Sequence, residues 1–264
     1  MQMSDFSGNS DGLTIDKVIG LFNDQPELSQ KLITEYTKLS ESNAKDYKTL
    51  LDNLKSASRT TSEKGLKLEK LVNFLIEKSY FYTVKHNART SINQIDQLIT
   101  LSKEGFNFYN GVGKIPCEID SKDKIIRYLY LPTAFLGECK NYSGKIDVSI
   151  IGKVYSVMTT LDMNLAIIFS IEGFTGTYGG WNAGLGLCKA IKLIEKHKNG
   201  RDYFYIIDFN LLDFNQILKG KNIFDIIKQK IISLDEGINC NVNYDIEPNQ
   251  KDFVEEASNI IKSL

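Results

Sequence analysis

Residues Leu165-Ala166-Ile167-Ile168-Phe169-Ser170 form a short unbroken apolar run, and a second run of the same kind covers Tyr203–Phe209. A strand without polar alternation has to be covered on both faces, which is the habit of parallel strands joined by helices. Helical spacing surrounds both runs. Ile146, Ile150, Val154, Val157 and Met158 repeat along one helical face before the first, about Trp181–Lys196 reads as a helix between them, and Ile223–Leu234 reads as a helix after the second. This alternation predicts an α/β sheet with parallel pairs.

Upstream the pattern changes. Tyr80–Val84 and Ile92–Leu101 flank a polar turn from Asn87 to Thr90, which reads as a hairpin. Before them, Leu68, Leu71, Val72, Leu75 and Ile76 mark a helix from about Glu63 to Lys78, with Glu69 bordering its apolar stripe. Residues 103–130 contain Gly105, Gly111, Gly113 and Pro116 and end in strand-like Ile125–Tyr130, so they read as an insertion with an extra hairpin. The hydroxyl-rich segment Ser56–Ser62 suits a turn and a helix N-cap. It divides the chain into an N-terminal helical extension (1–60), a core (61–235) and a C-terminal tail with a helix (236–264). In the extension Pro26 separates two helices. The longer carries Leu32, Tyr36, Leu39, Tyr47, Leu50 and Leu54 as one stripe, interrupted by Asn43. That stripe either docks on the chain's own domain or serves as an arm for a second copy or a partner subunit.

Composition removes several classes. With 264 residues, 42% apolar and 25% charged, the chain can build one large domain with an appendage. No run approaches eighteen apolar residues, and Met1–Asp5 has neither a basic nor an apolar leader region, so a soluble cytoplasmic protein away from membranes is expected. Cys117, Cys139, Cys188 and Cys240 are too scattered for zinc pairs, and His86 and His197 are the only histidines. This argues against zinc and against chemistry that needs a histidine base.

Chemistry concentrates in Gly137-Glu138-Cys139-Lys140-Asn141-Tyr142. On a strand, Glu138 and Lys140 point to one side while Cys139 points to the other, so a carboxylate and an ammonium share a face. Forty-two residues before Glu138 stands Asp96, on the second arm of the hairpin. An acid from a neighbouring strand would complete a trio suited to metal-assisted phosphodiester cleavage. Residues 61–160 carry net charge +4 in a chain of −1 overall, which fits a polyanion approaching there and fits a solvated surface equally well.

The order of a Glu-bearing helix, a strand, a strand with Asp96, a strand with Glu138-Cys139-Lys140, a helix and a strand resembles the PD-(D/E)XK restriction-endonuclease-like nuclease superfamily, in particular its Mrr-type branch. The resemblance runs from about Thr61 to Leu234. Gly65–Val72 is similar to the family's first helix, Asn93–Asp96 to its metal-binding Asp, Gly137–Tyr142 to its Glu-x-Lys strand, and Ile167–Ser170 with Gly173-Phe174-Thr175 to a later strand. It implies a mixed central sheet flanked by helices and a metal-dependent DNA endonuclease of restriction or phage-defence type. Asp96 and Glu138 would hold Mg²⁺, with Mn²⁺ as a substitute. Lys140 would orient the attacking water or stabilise charge on the phosphate, and Glu69 would bind a second metal or its water. Products would carry a 5′-phosphate and a 3′-hydroxyl. The Gln94-Ile95 lead-in departs from the proline or glycine-rich turn common before the Asp, and the 103–130 insertion departs as well.

Double-stranded DNA is the expected partner, with Gln94, Asn141, Lys145 and Lys153 as candidate phosphate contacts. Two copies would serve cleavage of both strands. A catalytically silent binding or assembly subunit and a structure-selective repair nuclease are the alternatives. Gly184-Leu185-Gly186 comes fourteen residues after Ser170, too far for a dinucleotide turn, and no Gly-Lys-Ser/Thr follows, so the glycines from Gly173 to Gly186 read as a flexible loop carrying Tyr178 and Trp181. Tyr203-Phe204-Tyr205 reads as core strand.

Overall fold

The computed structural model describes residues 26–58, 60–89, 94–113, 125–126, 128–141, 143–176 and 183–235. Their centre is a mixed sheet of five strands in the order β1 (Tyr82–Arg89), β2 (Gln94–Leu101), β5 (Ala134–Lys140), β6 (Leu165–Ser170) and β7 (Tyr205–Phe209). The pairs β1–β2 and β2–β5 are antiparallel, whereas β5–β6 and β6–β7 are parallel. The predicted alternation is thus found in the second half of the sheet. β6 and β7 are buried at every residue, as their unbroken apolar runs require.

A small two-stranded ladder, β3 (Ile125–Ile126) with β4 (Leu131–Pro132), precedes β5. Of the strand expected over Ile125–Tyr130 only Ile125–Ile126 is extended, 128–130 form a turn, and the partner strand Leu131–Pro132 lies past the bounds 103–130. The same region holds an element that spacing did not predict. Ser102 caps a short helix, here called α4 (Lys103–Phe108), which continues into a π-helical turn over Tyr109–Gly113. Gly105 is needed in it, because a Cβ there would lie 2.0 Å from the Phe81 carbonyl oxygen.

Three helices precede the sheet: α1 (Pro26–Tyr36), α2 (Glu41–Lys55) and α3 (Thr61–Glu77). The single stripe expected from Leu32 to Leu54 is divided between α1 and α2. Ser40 stops propagation by accepting the Asn43 amide as an N-cap, a use of the side chain that competes with an uninterrupted helix. Thr60 caps α3 in the same way through the Glu63 amide. α2 packs inward: Tyr47 and Leu51 are fully buried, and the Tyr47 hydroxyl donates to the Phe214 carbonyl at 2.8 Å. α1 is tied down through Thr34, which meets Asp225 and Asn222. These helices therefore face their own chain.

The remaining helices are α5 (Val148–Thr160), α6 (Gly184–Asn199), α7 (Leu211–Leu218) and α8 (Ile223–Asp235). α5 and α6 serve as the β5–β6 and β6–β7 crossovers and meet through Tyr155, whose hydroxyl donates to buried Glu195 at 2.6 Å. Crossovers of one hand that step in one direction lie on one face of a sheet. α5 starts later than its apolar spacing suggested. Ile146 bridges to Phe174 in extended form, and Asp147 caps the helix through the amides of Ser149 and Ile150. α7 was not foreseen; its signal was the capping box of Asn210 and Asp213. β1 also runs on to Arg89 where a turn from Asn87 was expected. Its pairing with β2 continues through Ala88–Ile95 and Arg89–Gln94, so the ladder holds these backbone groups regardless of side-chain polarity.

Several expectations fall outside the described residues: a helix before Pro26, the tail at 236–264, Tyr142, Tyr178, Trp181, and the side chains of Gln94 and Asp96. Among the described residues no helix is long and apolar enough to cross a membrane.

Candidate active site

The two faces of the β1–β2–β5 half-sheet differ. Cross-strand partners share a face, so Tyr82, Val84, Gln97, Ile99, Phe135 and Gly137 form one side, joined along β5 by Cys139. All of these are buried, whereas Leu101 and His86, the partners of Tyr82 and Gln97 on this side, are half-buried and exposed. α3 covers this side, since Gln97 Nε2 donates to Asn73 Oδ1 of α3 at 2.9 Å. The other side carries Thr83, Lys85, Leu98, Thr100, Ala134, Leu136, Glu138 and Lys140. Lys85 is exposed and, apart from Leu136, the rest are half-buried. This open half-face lies beside β6 and β7, whose residues are buried throughout.

Glu138 and Lys140 lie where the alternation argument puts them, on the open face with Cys139 buried behind. Lys140 Nζ is 2.6 Å from Glu138 Oε1, and the two side chains are only 16% and 13% exposed, so the charges meet in a setting drier than the free surface. The β2–β5 register runs from Thr100–Ala134 to Gln97–Gly137. That ladder ends at Gln97–Gly137, and Asp96 and Glu138 are the next residues along β2 and β5. Lys140 pairs in turn with Ser170 at the end of β6, and the Ser170 hydroxyl accepts the Gly173 amide at 3.0 Å. Gly173 has φ +69, and a Cβ there would come within 2.8 Å of Asp208, so the chain leaving β6 is closely seated over β7.

Glu69 is presented differently. It stands four residues before Asn73 and so on the same side of α3. It is half-buried, and α3 covers the face that Glu138 and Lys140 do not share. Asn141 reaches α3 as well: its Nδ2 donates to the Lys64 carbonyl at 2.8 Å. Its amide thus clamps the end of β5 to the first turns of α3, which is a structural use of a residue proposed for phosphate. Lys145 and Lys153 are exposed, the first in the segment that follows β5 and the second on α5. Gln94 opens β2 opposite Arg89.

Two features escaped the sequence reading. Gln97 is 1% exposed although its β1 partner on the same face is the exposed His86, and its Oε1 has no hydrogen-bond partner among the described residues. The second is a buried ion cluster at the end of β7. Lys230 of α8 lies 3.1 Å from Asp208 and 2.9 Å from Asp213, Asn210 donates its backbone amide to Asp213 and its side-chain amide to Asp208, and all four residues are buried. Burial pushes the Asp213 carboxyl above its ordinary range, against the pull of the Lys230 ammonium. The spacing of Ile223–Leu234 marks a helix, and no local pattern in it reveals that Lys230 lies between two acids.

Among the described residues the open face offers one carboxylate, Glu138, half-buried beside an ammonium, and no sulfur or imidazole; oxygen of this kind is what a hard divalent cation takes. Among the described side chains no three acids, histidines or cysteines gather as a metal-holding group. No protein-family model, curated protein or solved structure matches the chain.

Proposed function

We propose that the chain is a metal-dependent endonuclease that hydrolyses phosphodiesters in duplex DNA, built on the PD-(D/E)XK restriction-endonuclease-like plan. The observation that carries this reading is the Glu138–Lys140 pair, 2.6 Å apart on the open face of β5, the strand paired with the one that bears Asp96. The order of helix, antiparallel strands, parallel crossover and strand supports the family likeness.

Asp96 and Glu138 would hold Mg²⁺ or Mn²⁺. Such an ion supplies charge neutralisation at the scissile phosphate and a water of lowered pKa. Lys140 supplies a fixed positive charge whose target is a non-bridging phosphate oxygen; to reach it, the ammonium turns from Glu138 toward the substrate. Hydroxyls at Thr83 and Thr100 and the exposed Lys85 line the same face and offer contacts to the sugar-phosphate backbone. Glu69 and Asn141 are left out of this set, the first because of its face and the second because its amide is engaged with Lys64.

The test is plasmid cleavage by purified protein with Mg²⁺ or Mn²⁺, beside Asp96→Ala and Lys140→Ala. Metal-dependent cutting lost in both variants supports the reading. Cutting that survives both substitutions, or no cutting by the parent protein, overturns it.

A further inference from the structure

We propose that the Glu138–Lys140 ion pair is a latch that withholds the Lys140 ammonium from duplex DNA until a divalent cation takes the Glu138 carboxylate. This rests on the nuclease reading above and adds the order in which the site takes its ligands. Residues two apart on a strand share a face, so β5 itself sets the two charges side by side. Lys140 Nζ lies 2.6 Å from Glu138 Oε1, and with side chains 16% and 13% exposed the attraction is weakly screened by water. The backbone around the pair is held. Cys139 is buried on the far side of the strand, Lys140 pairs with Ser170 of β6, and Asn141 donates its side-chain amide to the Lys64 carbonyl of α3. What changes on release is therefore the lysine side chain, a flexible stem carrying a point charge.

A phosphate that approaches the cation-free pair meets an ammonium already matched to a carboxylate, and a carboxylate that repels it. The pair carries no net charge. A divalent cation on Glu138 makes the site positive and takes over as the counter-charge of the carboxylate, so the ammonium can turn to a phosphate oxygen. Cation and duplex then favour each other's binding, and the coupling runs through one side chain. Charge neutralisation by the cation alone predicts something different: Lys140 would help to hold DNA to the same extent whether Glu138 is charged, neutral or metal-bound.

Binding of a short labelled DNA duplex, followed by fluorescence anisotropy at low salt, tests the latch. The proteins are the parent, Lys140→Met, Glu138→Gln and the double variant, each with a chelator and the parent and Lys140→Met also with Ca²⁺ as the oxygen-seeking cation. Without cation, Lys140→Met should leave the parent's affinity within about 2-fold, yet lower it about 10-fold in the Glu138→Gln background, where the ammonium is already released. With Ca²⁺, Lys140→Met should lower the parent's affinity about 10-fold. Equal cation-free losses in the parent and Glu138→Gln backgrounds, or no loss in either, overturn the latch and leave the nuclease reading intact. Should Lys140→Met not fold, Lys140→Gln takes its place with the same outcomes. A parent protein that binds no duplex in either condition overturns the nuclease reading itself and this inference with it.

Discussion

The ammonium of Lys140 lies 2.6 Å from the carboxylate of Glu138, two residues back on the same strand, and both side chains are less than one-fifth exposed. A pair so placed attracts more strongly than one in open water.

Lys140→Met should therefore destabilise the cation-free protein by roughly 1 kcal/mol, since Glu138 loses its counter-charge while half-buried. Adding Mn²⁺ should recover the loss in the variant by more than it stabilises the parent. Urea unfolding with and without Mn²⁺ checks both statements.

Gly137→Ala brings a methyl group 2.8 Å from Gln97 Oε1 and 3.0 Å from Ile99 Cδ1. Overpacking of this kind costs about 1–3 kcal/mol. The double variant with Gln97→Ala should be less destabilised than the sum of its parts, read from denaturant midpoints.

Lys230→Met leaves Asp208 and Asp213 buried without their ammonium, a loss of about 3–5 kcal/mol at neutral pH. The pH dependence has a definite sign. Burial raises the Asp213 pKa in the folded state above its ordinary 3.8, so the penalty for its charge is complete above the folded pKa. It falls away as pH drops through that value toward 3.8. The deficit of Lys230→Met relative to the parent should therefore shrink between pH 7 and pH 4, as measured by chemical unfolding across that range.

Tyr47→Phe removes the hydroxyl that reaches the Phe214 carbonyl and should cost about 1 kcal/mol, while Tyr47→Ala should cost about 3–5 kcal/mol. Such losses identify α2 as part of the folded body. Unchanged unfolding in Tyr47→Ala would return α2 to the role of an arm for another subunit.

The legibility of the fold followed the range of each signal. Leu165–Ser170 and Tyr203–Phe209 announced buried parallel strands because their pattern is local and redundant, and period-two alternation was enough to put Glu138 and Lys140 on one face with Cys139 behind. Helix ends were harder, because Ser40 and Asn210 decide them through single side-chain hydrogen bonds that interrupt or begin an otherwise continuous pattern. Glu69 enters the site only through the family resemblance, while the face that α3 covers follows from the strand residue it bonds, Gln97. Gln97 itself and the Lys230 cluster depend on contacts across 24 and 22 residues, which no spacing in the sequence encodes.

The central claim is that Asp96 and Glu138 form a divalent-cation site beside Lys140. Calorimetric titration of Mn²⁺ into the parent protein, Asp96→Asn and Glu138→Gln measures it directly. The account predicts saturable binding by the parent that is lost or weakened at least about 10-fold in both variants. Binding that persists unchanged in either variant, or a parent protein that takes up no cation, would contradict it.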